Sequence, residues 1–279
     1  MRRRTLMGLM AAMVATAILP STASRAEDTL RIGVVPHTSA RVVLEMYQPL
    51  RERLETELGR KVEIQTAPDF TSFVRRALAH DYDIAITTGH QARLLQQDAD
   101  YLPLVTYSAE FRAVVVVAGN APITHPEDLT GKIVIGLSPT SLVTQWGRHW
   151  VADHGIAVIQ TRYVSAADSM AQLLLADEAA AGFMSTAVFQ NLAPDVQAKL
   201  RILARSEPML GRVYMLNGAL AEQRPAILAA LKAFAASAAG KNYFNSTALS
   251  GYRPVTHQDL AAMDPFAQEV RTLLREAAP

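Results

Sequence analysis

Short segments rich in hydroxyl side chains follow several apolar runs of this sequence, and a helical pattern begins directly after each of them. The clearest is the segment 138–144 (SPTSLVT), which lies between the apolar run 133–137 and an amphipathic pattern that ends near Gly155. The unpaired backbone N–H groups at the start of a helix favour anions, because the helix dipole acts in the same direction. Thr140 and Ser141 can add hydroxyl donors there, although either can serve only as an N-cap. The chemistry that this segment suggests is reversible binding of a small anion.

The same order of strand, polar residues and helix recurs at other places in the chain. We expect ligand contacts from the residues at these strand ends, where capping of the following helix is the alternative role. The candidates are Thr38, Ser39, Thr87, Thr88, Gly89, His90 and Ser185. His37 precedes the first group, and for both His37 and His90 the alternative is a solvated loop histidine.

Three further side chains are candidate ligand contacts, each with a plain alternative. Arg93 either clamps an anion through two hydrogen bonds or lies on a solvated helix face. Tyr107, where the chain is predicted to cross between lobes, either contacts the ligand or packs in a hinge. Asp168 either caps the helix that it begins or accepts a hydrogen bond from a hydroxyl or amine of the ligand.

Sequence motifs of catalysis and of metal binding are absent. There is no G-x-S-x-G and no H-E-x-x-H, and the chain has no cysteine, which excludes disulfides and thiolate metal sites. His37 and His90 have no carboxylate or third histidine at ligand spacing on the same rim. The sequence therefore predicts a binding protein without a metal or cofactor. An enzyme and a purely structural protein are the alternatives from other classes.

Alternating strands and helices predict how these segments come together. The first set of predicted strands is 30–35, 61–67 and 82–87, and the second is 133–137, 157–164 and 179–184. Strands that alternate with helical patterns in this way are typical of a parallel, doubly wound α/β sheet. Ligands of such sheets bind outside the carboxyl ends of the strands. The polar segments of each set are therefore expected on one rim.

Two strands without a helix between them, 102–108 and 112–118, interrupt this alternation, and we interpret them as a crossing between two lobes. Strands at 201–205 and 212–216 would return the chain to the first lobe. The predicted organisation is lobe 1 over 27–118, lobe 2 over 119–204, and the rest of lobe 1 with C-terminal helices over 205–279.

The first 26 residues have the pattern of a cleavable secretory signal. Arginines 2–4 precede an uncharged apolar stretch, and the small residues Ser24 and Ala26 suit the −3 and −1 positions of a cleavage site. Without this leader the formal net charge falls from +1 to −3. A basic stripe with interleaved aromatic residues, which would indicate nucleic-acid binding, is absent. We therefore expect an exported, periplasmic protein that does not bind nucleic acid.

Several segments, taken in order, resemble a known family. They are LRIGVVPHTS, YDIAITTGHQA, DLTGKIVIGLSP and LRILARSEP. The chain resembles, over residues 29–245, the phosphonate-, phosphite- and phosphate-binding proteins of ABC importers, which are type II periplasmic binding proteins. The resemblance implies two α/β lobes joined by two hinge strands, with the ligand in the cleft between them. We expect a monomer that delivers its ligand to an importer permease, and a two-component sensor kinase in the membrane is the alternative partner.

Departures from the family pattern bear on the ligand more than on the fold. The family's Ser-Thr-Ser-Gly phosphate grip matches Ser141-Leu142-Val143-Thr144, so that two of its positions are aliphatic here. The histidine of a His-Asp pair is replaced by Ala167, a later aspartate by Ala180 and a tyrosine by Arg93. This pattern favours an anion-selective pocket for a small oxyanion or organic anion, which need not be a phosphonate. Helix starts from both lobes, near Thr88 and Ser141, are expected to face each other across the pocket.

Overall fold

The structure is a computed structural model that describes residues 29–276. The strands, in chain order, are β1 (Leu30–Val34), β2 (Val62–Gln65), β3 (Ile84–Thr88), β4 (Tyr101–Tyr107), β5 (Ala113–Ala118), β6 (Ile133–Gly136), β7 (Gln160–Tyr163), β8 (Ala181–Ser185), β9 (Leu200–Arg205), β10 (Arg212–Asn217) and β11 (Tyr252–Arg253). The helices are α1 (Ala40–Leu58), α2 (Phe70–Leu78), α3 (Gly89–Asp98), α4 (Leu142–Asp153), α5 (Ala167–Leu175), α6 (Thr186–Gln190), α7 (Pro194–Gln197), α8 (Arg224–Ala236), α9 (Ala238–Thr247), α10 (His257–Ala261) and α11 (Asp264–Glu276). The predicted leader lies outside the described residues. Within 29–276, no helix is long and apolar enough to cross a membrane.

The first sheet has the strand order β2-β1-β3-β10-β4-β11. β1 runs parallel to β2 and β3, whereas β10 runs antiparallel to β3 and β4. Helix α1 covers one face of this sheet, because Tyr47, Leu50 and Leu54 recur on one side of the helix. These three side chains are fully buried in the same core cluster as Ile32 and Val34 of β1.

The second sheet has the strand order β7-β6-β8-β5-β9. β6 runs parallel to β7 and β8, and β5 runs antiparallel to β8 and β9. The sequence of β5, AVVVVA, is apolar without alternation because the strand is buried on both faces. Val114 and Val116 enter one core cluster, and Val115 and Val117 enter the other.

The chain crosses between the two sheets twice, at residues 107–113 and 205–212. The two crossing segments pair where Met209 N–H donates to the carbonyl oxygen of Phe111 at 2.8 Å. Because β5 belongs to the second sheet, the chain changes lobe before residue 118, where the sequence pattern put the boundary. Burial on both faces does not reveal which sheet a strand joins.

We define lobe 1 as residues 29–107 and 212–276, and lobe 2 as residues 113–205. Lobe 1 contains the first sheet and lobe 2 contains the second. The predicted fold class, two α/β lobes joined by two connections, is confirmed.

Candidate functional site

A cavity of about 350 Å³ lies between the two lobes. Lobe 1 supplies the loop between β1 and α1, one face of α1, the start of β10 and the end of α9 with the loop after it. Lobe 2 supplies the start of α5, and α6 with the residues that follow it. The lobe 1 side is lined by His37, Thr38, Val42, Met46, Arg212, Ser246, Thr247 and Leu249. The lobe 2 side is lined by Ala166, Ala167, Asp168, Ala187, Val188, Asn191 and Leu192. Both rims therefore contribute to one cleft, as parallel strand ends in α/β sheets do.

The positive charge in this cavity comes from Arg212, the first residue of β10. Its Nη1 donates to the hydroxyl of Tyr47 at 3.2 Å, and its guanidinium lies 5.9 Å from the ring centroid of Tyr107. Among residues 29–276, no carboxylate forms an ion pair with this guanidinium. A partly desolvated cation without a counter-ion favours an anion as its partner, because the guanidinium fork matches an oxyanion.

Behind Arg212 lies a cluster of buried tyrosines. The hydroxyl of Tyr107 is 2.8 Å from that of Tyr214 and 2.7 Å from that of Tyr243, and Tyr252 donates to Tyr214 at 2.9 Å. Burial raises the pKa of Tyr107 well above its usual range, so the hydroxyl keeps its proton. The structure thus places Tyr107 in the packing that supports Arg212 and not in the lining of the cavity.

His37 reaches the cavity and is neutral. Its Nδ1 lies 2.9 Å from the carbonyl oxygen of Val35, and since a carbonyl only accepts, the proton is on Nδ1. The other ring nitrogen, Nε2, is buried and has no hydrogen-bond partner among residues 29–276. Burial, followed by the charge of Arg212, lowers the pKa of His37 to about 3.

Of the predicted contacts, Thr38 and Asp168 line the cavity from opposite lobes. Ser39 instead caps α1, where its hydroxyl accepts from Val42 N–H at 3.4 Å. Ser185 caps α6 and accepts from Val188 N–H at 3.2 Å. The capping alternative accounts for both of these serines.

Another contact between the lobes joins the starts of α2 and α3 with the residues before α4. The hydroxyl of Thr140 lies 3.2 Å from that of Thr71, and the carbonyl oxygen of Thr140 accepts from His90 Nε2 at 3.0 Å. His90 therefore carries its proton on Nε2, and its Nδ1 accepts from the hydroxyl of Thr88 at 3.1 Å. Burial lowers the pKa of His90 to about 4. The predicted helix starts are brought together here, but by direct hydrogen bonds between the lobes.

Neighbouring side chains reinforce this contact. The hydroxyl of Thr87 donates to Gln91 Oε1 at 2.6 Å, and Gln91 Nε2 donates to the carbonyl oxygen of Thr140 at 3.4 Å. Ser141 is buried at the N-cap position of α4. The amide of Gln145, one turn later, is fully buried with neither its oxygen nor its nitrogen paired among the described residues.

Gly89 and Arg93 serve packing between elements. A Cβ at position 89 would lie 2.5 Å from the carbonyl oxygen of Leu210, so glycine permits the close approach of α3 to the second crossing segment. Arg93 Nε donates to Asp264 Oδ1 at 2.6 Å and Nη2 donates to Oδ2 at 3.2 Å, which ties α3 to α11. Arg93 is not among the residues that line the cavity, and its guanidinium is instead paired with Asp264 at the start of α11.

The structure adds functional candidates that the sequence patterns did not single out. Arg212, Met46 and Asn191 line the cavity, and none of them follows a strand directly. The sequence feature that could have singled out Arg212 is its position as the one charged residue of a mostly apolar predicted strand. No group of three or more His, Asp or Glu side chains within 29–276 could hold a metal ion.

Comparisons with known proteins agree on the fold. The family described as ABC transporter, phosphonate, periplasmic substrate-binding protein matches residues 32–260. No curated protein sequence matches the chain.

Solved structures of low sequence identity share this architecture. PhnD1 from Prochlorococcus marinus in complex with methylphosphonate superposes with a TM-score of 0.76 and 12% identity, covering 87% of this chain and 98% of its own. The binding-protein component of a phosphonate ABC transporter from Pseudomonas aeruginosa has a TM-score of 0.76, 16% identity and 90% coverage of both chains. The aliphatic sulphonate-binding protein SsuA from Escherichia coli has a TM-score of 0.64 and 17% identity, covering 90% of this chain and 94% of its own.

Proposed function

The chain belongs to the family of periplasmic substrate-binding proteins of phosphonate ABC transporters, and we propose that it captures a small oxyanion or organic anion in the cavity between its lobes. Members of this family bind a substrate for an importer and are not enzymes, and they work in the periplasm. The observation that carries the proposal is the guanidinium of Arg212, which lines the cavity without a carboxylate partner among the described residues.

Capture of the anion depends on how Arg212 is held. Tyr47 accepts one of its hydrogen bonds, so the guanidinium has a fixed orientation and further N–H groups for a ligand. A pre-oriented donor loses less conformational entropy on binding than a free side chain does. Thr38 on lobe 1 adds a hydroxyl to the same cavity.

Closure of the lobes completes the capture. A ligand that contacts both lobes has differential affinity for the closed arrangement, and this is what shifts the population toward it. The hydrogen bonds of Thr140 to Thr71 and His90 join the two lobes and lie outside the cavity lining. We propose that they stabilise the closed form without competing with the ligand.

A single copy of this chain is sufficient to bind the ligand and deliver it to a permease. Both walls of the cavity come from this chain, so a monomer is sufficient for binding. We propose that the monomer presents its closed lobes to an importer permease. Ligand-dependent contact with a sensor kinase would use the same closed form.

Isothermal titration calorimetry on the chain from residue 27 onward tests the function. The panel is phosphate, phosphite, methylphosphonate, sulfate, methanesulfonate and acetate, with methylphosphonate included because PhnD1 was solved with it. We expect at least one of these anions or its close analogues to bind with a dissociation constant in the micromolar range or below. A folded protein that binds no anion would contradict the proposal, and native mass spectrometry of periplasmic protein would then identify any other solute.

A further inference from the structure

The cavity offers more space and more apolar surface than an inorganic oxyanion uses. Its volume of about 350 Å³ lies near the lower end of the ~300–1,000 Å³ that is usual for pockets that hold organic ligands. Eight of its fifteen lining residues are apolar, and the larger ones include Val42 and Met46 on lobe 1 and Val188 and Leu192 on lobe 2. A small, fully hydrated anion gains nothing from such a wall, whereas an apolar substituent does.

Two apolar pairs contribute to the wall from opposite lobes. Val42 and Met46 are four residues apart on α1 and therefore lie on one face of that helix. Both remain partly exposed, although they are apolar. Val188 and Leu192 line the same cavity from lobe 2. An apolar group inserted between the lobes would contact both pairs.

The polar end of the cavity is set by Arg212. It donates to Tyr47, the residue that follows Met46 on α1, and its charge acts on the nearby His37. Asp168 is the only carboxylate among the described residues that line the cavity, and it belongs to lobe 2. One cation and one acid do not suit a ligand with several negative groups, but they suit a ligand with a single anionic head.

We infer that the ligand is an organic anion with a single oxyanion head that binds Arg212 and an apolar substituent of several carbons that lies between Val42–Met46 and Val188–Leu192. This inference rests on the proposed function and narrows its substrate class. Inorganic phosphate and phosphite would bind weakly, because they leave the apolar wall in contact with water.

Calorimetry with a homologous series tests the inference. The first series of probes is methyl-, propyl-, butyl- and hexylphosphonate. The second series has a carboxylate head group and consists of acetate, butyrate and hexanoate, and inorganic phosphate is the reference. We expect the affinity to increase about threefold to fourfold for each added CH₂ until the substituent fills the cavity. The binding heat capacity should become more negative along the series. An affinity that stays constant or decreases from the shortest to the longest member of both series overturns the inference and leaves anion capture intact, whereas no binding by any probe contradicts the proposed function itself.

Variants of the wall locate the substituent. Met46→Gln should reduce the gain in affinity per CH₂, so that the affinity for the hexyl compound falls by a larger factor than that for the methyl compound. Leu44→Gln is the matched control, because Leu44 is on the same helix but 45% exposed and outside the cavity lining. Val188→Thr provides the same test from lobe 2 should Met46→Gln lower the thermal unfolding temperature. Unchanged dependence on chain length in both wall variants overturns the assignment of the substituent to this wall.

Discussion

Arg212 and Tyr47 are joined by a hydrogen bond of 3.2 Å from the guanidinium Nη1 to the tyrosine hydroxyl. The bond connects the start of β10, which follows the second crossing, with the middle of α1. Arg212 carries the only formal positive charge among the described residues that line the cavity, and Tyr47 of α1 holds its guanidinium through this hydrogen bond. A displacement of the second crossing segment relative to α1 would move this charge, so the position of that segment bears on the geometry of the site.

Replacement of Arg212 by methionine should remove most of the affinity for the anion. Methionine keeps much of the length and volume but loses all donors and the charge. Hydrogen bonds to charged groups contribute about 1.5–3 kcal/mol, so the expected loss in affinity is about 10-fold to 100-fold by calorimetry. The control is Arg93→Met, which removes the ion pair with Asp264 outside the cavity. Equal losses in both variants would contradict a direct role for Arg212.

Replacement of Tyr107 by phenylalanine should lower stability. The ring remains, but the hydroxyls of Tyr214 and Tyr243, which lie 2.8 and 2.7 Å from that of Tyr107, lose a buried partner. An unsatisfied buried polar group lowers the free energy of unfolding by about 1–3 kcal/mol. Urea denaturation measures this loss. The control is Tyr163→Phe, since Tyr163 is 45% exposed. A loss below about 0.5 kcal/mol, the usual range for a surface substitution, would show that the network contributes little.

Replacement of Thr71 by valine should make the closed arrangement less stable. It removes the hydroxyl that lies 3.2 Å from that of Thr140 in the other lobe. A net loss of about 0.5–1.5 kcal/mol would increase the open population severalfold. Small-angle scattering should then give a larger radius of gyration without ligand and recovery of the compact value with ligand. Thr56→Val is the control, because its hydroxyl donates to Glu52 within α1. No difference between the two variants would argue against an interlobe role for Thr71.

The sequence was sufficient for the fold because the relevant signals are local. Apolar runs that alternate with amphipathic helices define both sheets, and the fully apolar β5 could be recognised as a strand without knowledge of its neighbours. The local pattern predicts a boundary of lobe 1 after β5, because the pairing of β5 with β8 and β9 is a long-range property that no short segment shows. Strand existence follows from short patterns, whereas sheet membership follows from tertiary packing.

The candidate site was less accessible to sequence patterns for the same reason. The local sequence patterns do not distinguish Arg212, which lines the cavity, from Arg93, which does not. The guanidinium of Arg93 is paired with Asp264, which comes more than 170 residues later in the chain. Thr38 and Asp168 could be selected because they lie in the short polar segments between a predicted strand and the following helix, and both line the cavity. Thr140 also lies in a polar segment after a strand, but its hydroxyl forms a hydrogen bond with Thr71 of the opposite lobe and does not line the cavity. Which strand end faces the cavity depends on how the lobes meet, and this is not a property of any short segment.

Stability should decrease as the pH falls from about 6.5 to 4.5, owing to two neutral histidines. In the folded protein the pKa of His37 is lowered to about 3 and that of His90 to about 4, in both cases first by burial. The unfolded chain, with a histidine pKa of about 6.5, binds more protons than the folded protein in this range. The free energy of unfolding therefore rises with pH, by at most ~1.4 kcal/mol per pH unit for each histidine, and becomes constant above about pH 7.

Urea denaturation at half-unit pH intervals measures this dependence, and histidine variants assign it. His90→Gln keeps a side-chain donor for the carbonyl oxygen of Thr140 but does not titrate, so the slope should fall by about half. The additional substitution His37→Asn should remove most of the remainder. The paired carboxylates, such as Asp259, whose pKa is lowered, lose their contribution only as the pH falls below about 4, so they do not account for this window. A slope between pH 4.5 and 6.5 that is the same in the wild type and in the double variant would contradict neutral, buried histidines at both positions.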